Sequence, residues 1–195
     1  MAVTSYRSCG TCVDDSSIGS ITWTLSDSSP LVGTELSADD DVVAGLLSPT
    51  SGGESHYLKC TNFGFSESDI PYGALIQGFE IEVRQTTSSP GVSNTVVQLV
   101  QAGIIVGDDF GTSGDWPATE EAVVYGSSSE LGGMGWTLAD VTASDFGCVI
   151  AINLNIARFM VEFGYTVDQV RIRVYYVTTV LTGFTSIANV NSITF

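Results

Sequence analysis

Apolar and polar residues alternate along several short segments of the chain, which is the pattern of half-buried β-strands. In residues 76–86, apolar Phe79, Ile81 and Val83 alternate with charged residues, and residues 169–177 repeat the pattern. The other predicted strands span residues 20–25, 56–65, 95–107 and 146–155, with Gly103 as a predicted bend or hairpin. Turn signals rich in Gly, Pro, Ser and Asn separate these segments.

Helical patterns are nearly absent. Thr137 and Asp140 fit a capping box that would open a single turn, and Thr142 to Asp145 repeats the spacing. Strands separated by turns, without helical segments between them, predict an all-β fold: an antiparallel β-sandwich, jelly-roll-like, with one or two short helical turns. We expect an N-terminal arm over residues 1–17, the sandwich over 18–177, and a C-terminal apolar arm or added strand over 178–195.

The two best-patterned strands carry complementary charges. Glu80 and Glu82 interleave with the apolar residues of the first strand, and Arg171 and Arg173 interleave with those of the second. If the two strands are neighbours, Glu opposite Arg forms cross-strand pairs that fix the register. We therefore expect Arg171→Glu to weaken folding.

Composition restricts the partners. The 195 residues include 22 acidic and 6 basic ones, and the net charge of −16 disfavours nucleic acid and anionic membrane surfaces. No stretch approaches the length of a membrane span, and the first residues lack the features of a signal peptide. Mean hydropathy is nonetheless positive, at +0.27. Together with a single lysine and abundant Thr and Val, this favours a β-protein with large contact surfaces and therefore association.

No charged residue occurs from Val174 to Phe195. A free tail of this composition is an aggregation hazard, so we expect it to add a strand to its own sheet or to a neighbouring subunit. The predicted assembly residues are Val180, Leu181, Phe184, Ile187, Ile193 and Phe195.

Four cysteines invite a test for a metal site. Cys9 and Cys12 form a CxxC, whereas Cys60 and Cys148 lie far away in predicted strands. A four-thiolate zinc site normally comes from two close pairs, and only one is present. We expect Cys60 and Cys148 to be small buried hydrophobes, and the CxxC to be a flexible segment with reduced thiols.

Catalytic patterns are weak. The only histidine, His56, has no GxSxG elbow to serve, so a structural role is expected. Glu120 and Glu121 are adjacent, and adjacent strand residues point to opposite faces, which disfavours a glycosidase pair. The sequence therefore predicts no catalytic residues and no enzymatic activity.

Two kinds of ligand site remain open. Asp39, Asp40 and Asp41, or Asp108 and Asp109, offer hard oxygens to calcium, although neither cluster has the spacing of a dedicated loop and a solvated acidic turn explains both. Exposed aromatic rings can stack on sugars, and the candidates are Trp116, Tyr125 and Trp136. Burial of these rings at the end of the sandwich is the favoured alternative.

Several segments together resemble a known family. They are FGFS at 63–66, GALIQGFEIEVR at 73–84, the stretch from Tyr125-Gly126 through Trp136-Thr137 and Asp140 to Phe146-Gly147, and VDQVRIRVYY at 167–176. The chain resembles, over residues 18–177, a β-sandwich domain that recurs in bacteriophage structural proteins and in some bacterial surface or secreted proteins. It departs from that pattern after Leu131, where Gly132 stands in place of the usual tryptophan. The family has no established catalytic role or universal ligand, so the resemblance implies a virion or cell-surface building block.

The expected function is a non-enzymatic structural subunit of a bacteriophage virion, made in the host cytoplasm. A capsid decoration or cement subunit is favoured over a tail or fibre component. Its expected partners are copies of itself, as a trimer by analogy with phage decoration proteins, and other virion proteins such as the major capsid protein. No cofactor is expected. The alternative is a carbohydrate-binding or adhesion module of a tail fibre, baseplate or secreted protein.

Overall fold

The computed structural model describes residues 1–46, 52–88, 91–154 and 164–178. Within these residues, two antiparallel sheets pack together and one five-residue helix is present, so the predicted all-β sandwich is confirmed. In chain order the elements are β1 Ala2–Val3, β2 Arg7–Ser8, β3 Thr11–Asp15, β4 Trp23–Leu25, β5 Ala44–Leu46, β6 Gly53–Glu54, β7 Tyr57–Thr61, β8 Ala74–Thr87, β9 Val92–Gln101, β10 Ile104–Val106, β11 Glu121–Ser127, α1 Leu138–Thr142, β12 Gly147–Leu154 and β13 Tyr165–Thr178.

Each sheet is organised around two long strands. The first sheet has the order β11-β8-β13-β5-β4, and β1 and β2 also pair with β13. The second has the order β10-β9-β12-β7-β3, and β6 also pairs with β12. The hairpin between β9 and β10 turns at Ala102 and Gly103, which both have positive φ, as a tight two-residue turn requires. The bend predicted at Gly103 is therefore confirmed.

The core lies between the inner faces of the two sheets. Phe79 from β8, Phe146 before β12 and Trp136 before α1 form one aromatic cluster, with ring centroids 5.0–5.8 Å apart. Thr137 caps α1 through the predicted capping box with Asp140. The helix thereby closes one end of the core, where its Val141 is buried. None of the helices among the described residues is long and apolar enough to cross a membrane.

The charged faces of β8 and β13 meet as predicted. Arg171 stands opposite Glu82, and Arg173 stands opposite Glu80. The Nε atoms of the two arginines donate to these carboxylates at 2.9 and 2.6 Å, and the Nη2 atoms contact them as well. The Tyr6 ring covers both guanidinium groups, at 5.1 and 4.7 Å from its centroid. The predicted cross-strand pairing is confirmed.

The N-terminal segment differs from its prediction. Within residues 1–17, predicted to be an arm, β1 and β2 pair with β13 of the first sheet, and β3 pairs with β7 of the second. These strands have two, two and five residues, which is too short for a clear alternating pattern in the sequence. The segment therefore belongs to the sandwich. Beyond Thr178, the predicted C-terminal arm lies outside the described residues.

Candidate functional sites

An acidic cluster lies beside the end of the first sheet where β11 begins. Asp39 comes from the loop between β4 and β5, Glu120 directly precedes β11, and Asp168 belongs to β13. One carboxylate oxygen from each of the three lies within 4.8 Å of the others. The pairing of β13 with β8 shifts register between Val167 and Gln169, so Asp168 is the extra residue of a β-bulge.

Asp168 is the unusual member of the cluster. It is 1% exposed, and neither of its carboxylate oxygens has a hydrogen-bond partner among the described residues. Burial raises the pKa of its carboxyl to about 6, and Asp39 and Glu120 add to the increase.

Arg84 is the basic residue that contacts the cluster. Its Nη2 lies 3.1 Å from Oδ2 of Asp39, and its Nε donates to Oε1 of Glu120 at 3.1 Å. Glu121, the neighbour of Glu120, starts β11 opposite Gln85 and is exposed. The adjacent glutamates therefore have different surroundings, as expected from the alternation of a strand.

The other calcium candidates from the sequence are not part of this cluster. Asp40 and Asp41 are exposed loop residues, and Asp40 accepts a bond from the backbone of Val42. Asp109 holds its own loop: Oδ1 accepts from the backbone N–H groups of Val97 and Gly111, at 2.8 and 2.7 Å. Asp108 is exposed and lies outside both groups of metal-ligating side chains found among the described residues.

The three aromatic rings considered as a sugar-binding surface are buried. Trp116 donates to Thr95 Oγ1 at 2.8 Å, Tyr125 to Gln85 Oε1 at 3.0 Å, and Trp136 to the Leu131 carbonyl at 2.9 Å. Each ring has thus satisfied its polar atom internally and removed its apolar area from water. This corrects the platform interpretation for these residues and agrees with the alternative that they fill the end of the sandwich.

The four cysteines converge in the core. Cys12, Cys60 and Cys148 occupy matched positions on β3, β7 and β12, and Cys9 Sγ lies 3.2 Å from Cys12 Sγ. Sulfur atoms of Cys9, Cys12 and Cys60 lie within 4.8 Å of one another.

All four thiols are free and buried. Hydrogen bonds from Cys12 and Cys60 lower the pKa of Cys9 to about 5, whereas burial raises the pKa of the other three thiols. The expectation of a flexible CxxC is corrected, because its two thiols belong to the core. The expected burial of Cys60 and Cys148 is confirmed.

His56 directly precedes β7 and contacts a strand of each sheet. Its Nδ1 lies 2.8 Å from Asp14 Oδ2 in β3, while its carbonyl accepts from the indole of Trp23. Asp14 also accepts from the backbone N–H of Trp23. These contacts give His56 a role in holding the strand edges together.

An open apolar groove lies at the edge of α1. It has a volume of about 390 Å³, and its walls include Tyr72, Leu75, Trp136 and Leu138. Tyr72 is 89% exposed and Leu75 is 56% exposed. The groove adjoins the last residue of β13, because Thr178 pairs with Ala74 and Ala74 lines the groove. The Pro-Tyr-Gly turn at 71–73 is the one weak signal of this groove in the sequence.

Comparison with known proteins gives little further guidance. No protein-family model and no curated protein matches the chain. Among solved structures, the C-terminal CBM6 of LamC, a marine laminarinase from Zobellia galactanivorans, is similar at 13% identity over 84% of this chain and 97% of that one, with a TM-score of 0.30. A TM-score this low implies neither a shared function nor a shared ligand.

Proposed function

We propose that this chain is a non-enzymatic structural subunit of a bacteriophage virion, a capsid decoration subunit that binds neighbouring subunits. The observation that carries the proposal is that the residues of the family-like pattern have structural roles in packing, helix capping and strand pairing. Trp136 and Phe146 belong to the central aromatic cluster, Thr137 and Asp140 cap the helix, and the arginine of VRIRV at 171 forms the ladder with β8. The residues of this pattern thus stabilise the β-sandwich itself, as expected of a rigid structural domain.

Glycines of the same pattern support this interpretation. A Cβ at Gly147 would lie 1.9 Å from the Cys60 carbonyl oxygen, and one at Gly126 would lie 2.5 Å from that of Phe79. Gly126 also has φ of +82°, which glycine adopts without strain. These positions need glycine because the backbone of a neighbouring strand lies too close for a side chain.

Association is supported by surface chemistry. The charge-free part of the sequence begins at Val174 within β13, and β13 ends at Thr178 beside the apolar groove, where Tyr72 and Leu75 are exposed. An apolar segment of a neighbouring subunit matches this groove in chemistry. With residues 1–17 in the sandwich, residues 179–195 become the proposed assembly segment. The proposed oligomer is a trimer, and the major capsid protein is the proposed second partner.

Particle occupancy tests the proposal. Phage particles would be assembled with three forms of the chain: full length, ending at Thr178 so that β13 stays complete, and with residues 179–195 shuffled in order. The full chain should be incorporated at constant stoichiometry, and the truncated chain should be lost from purified particles. The shuffled chain separates a requirement for sequence from one for apolar composition. Failure of the full chain to enter particles, or normal entry of the truncated one, overturns the proposal.

A glycan-binding module is the second candidate, and the exposed ring of Tyr72 beside the groove is the feature that favours it. A glycan array would compare the wild type with Tyr72→Ala, and Trp116→Phe would serve as the control in the buried interior. Specific binding that is lost only in Tyr72→Ala supports the module. An array without specific binding rejects it.

A further inference from the structure

We propose that Asp39, Glu120 and Asp168 form a binding site for one hard divalent cation, with Ca²⁺ as the best fit. The sequence offered Asp39 as a calcium candidate only in combination with Asp40 and Asp41. The structure instead joins Asp39 to two residues that lie 81 and 129 positions further along the chain. The inference is independent of the proposed virion role.

The first argument is the buried, unpartnered carboxylate. Both oxygens of Asp168 are removed from water and lack a hydrogen-bond partner among the described residues, and the side chain belongs to the cluster with the other two carboxylates. An isolated ionised carboxylate is strongly disfavoured in such surroundings. A cation bound between the three carboxylates would compensate that charge.

The second argument is charge balance. Among the described residues, the three carboxylates meet one guanidinium, that of Arg84, which contacts Asp39 and Glu120. Two negative charges are left over, and one divalent ion neutralises them. Arg84 contacts Oδ2 of Asp39 and Oε1 of Glu120, so the second oxygen of each carboxylate lies outside these two ion pairs.

The third argument is distance and donor type. Ca²⁺ binds oxygen at about 2.3–2.6 Å, so ligands on opposite sides of the ion are about 4.6–5.2 Å apart. The three carboxylate oxygens lie within 4.8 Å of one another, as ligands of one Ca²⁺ would. Mg²⁺ demands shorter bonds and near-ideal octahedral geometry, which fits less well. Donors made only of carboxylate oxygen exclude a soft metal, and the exposure of Asp39 and Glu120 leaves room for water ligands.

Calorimetric titration tests the site. The full chain, treated with a chelator and dialysed at pH 7.5, would be titrated with CaCl₂ and separately with MgCl₂. We expect one calcium site per chain, with magnesium weaker. Asp168→Asn and Glu120→Gln should each weaken calcium binding by at least about tenfold, because each removes a charged ligand. Glu120 is exposed, so its variant folds even if the buried variant does not.

Asp41→Asn is the matched control: it lies on the same loop as Asp39, loses the same charge, and keeps a residue type that tolerates the φ of +65° at that position. It should bind calcium like the wild type. At a calcium concentration 100 times Kd, the melting temperature of the wild type should rise by about 5–10 °C. Absence of saturable binding overturns the proposal, as does an equal loss in Asp41→Asn, which would mean diffuse attraction to an acidic surface. Unchanged binding in Glu120→Gln also overturns it.

Discussion

Exchanging the charges of Glu82 and Arg171 tests whether the ladder between β8 and β13 stabilises the central strand pair. The Glu82 side chain is 11% exposed, and that of Arg171 is 34% exposed. Arg171→Glu leaves the Glu82 carboxylate without its partner, which costs about 1–3 kcal/mol. It also places like charges opposite each other, which adds up to about 1 kcal/mol. The total of about 1–4 kcal/mol corresponds to a fall in melting temperature of about 2–16 °C for a chain of this size.

The assay is chemical unfolding followed by tryptophan fluorescence, on the wild type, Arg171→Glu, Glu82→Arg and the exchanged double variant. The double variant restores an opposite pair and keeps the net charge of −16, so it controls for the overall charge. We expect it to be more stable than the sum of the single effects predicts, by about 1–3 kcal/mol. Additivity within about 0.5 kcal/mol would refute the reasoning, because independent sites behave in that way.

Three further predictions concern stability. The folded-state pKa of Asp168 is raised from 3.8 to about 6. Its contribution to the free energy of unfolding is therefore fully present below about pH 4 and is lost as pH rises through 6. In chelator, the difference in free energy of unfolding between Asp168→Asn and the wild type should therefore change by about 2 kcal/mol in favour of the variant from pH 4 to pH 7.5. A difference that does not depend on pH contradicts this. Gly147→Ala should lower the free energy of unfolding in urea by at least about 2 kcal/mol, because its Cβ would meet the Cys60 carbonyl. The control Gly135→Ala, with open space around the added Cβ, should stay within about 0.5 kcal/mol of the wild type. Equal effects of the two substitutions contradict the packing argument. Thr137→Ala should cost about 1 kcal/mol by thermal unfolding through loss of the helix cap, and an unchanged melting temperature would show that the cap is dispensable.

The strands that were predicted from the sequence are those whose burial and register are set by their side chains. β8 and β13 alternate because one face is buried, and their opposite charges fix which residues meet. The Thr137 cap and the Gly103 hairpin follow from local chemistry and were predictable for the same reason. β11 was missed: no strand was predicted between residues 107 and 146. An edge strand such as β11, with Val124 exposed, does not need a strict alternation of apolar and polar residues.

The acidic cluster was not predictable as a whole, because only topology brings its three carboxylates together. A partial signal exists: Val167 and Val170 are three residues apart, which breaks the alternation of β13 and indicates the bulge that carries Asp168. The thiol cluster is similar, since the matched positions of Cys12, Cys60 and Cys148 follow from strand register. Burial of the three aromatic rings agreed with one of the two alternatives that the sequence left open.

Size-exclusion chromatography with light scattering tests the central claim most directly. At micromolar concentration the full chain, of 20.5 kDa, should elute as an oligomer with the mass of a trimer, and the chain ending at Thr178 should elute as a folded monomer. A full-length chain that remains monomeric at this concentration would contradict the account of an assembling structural subunit.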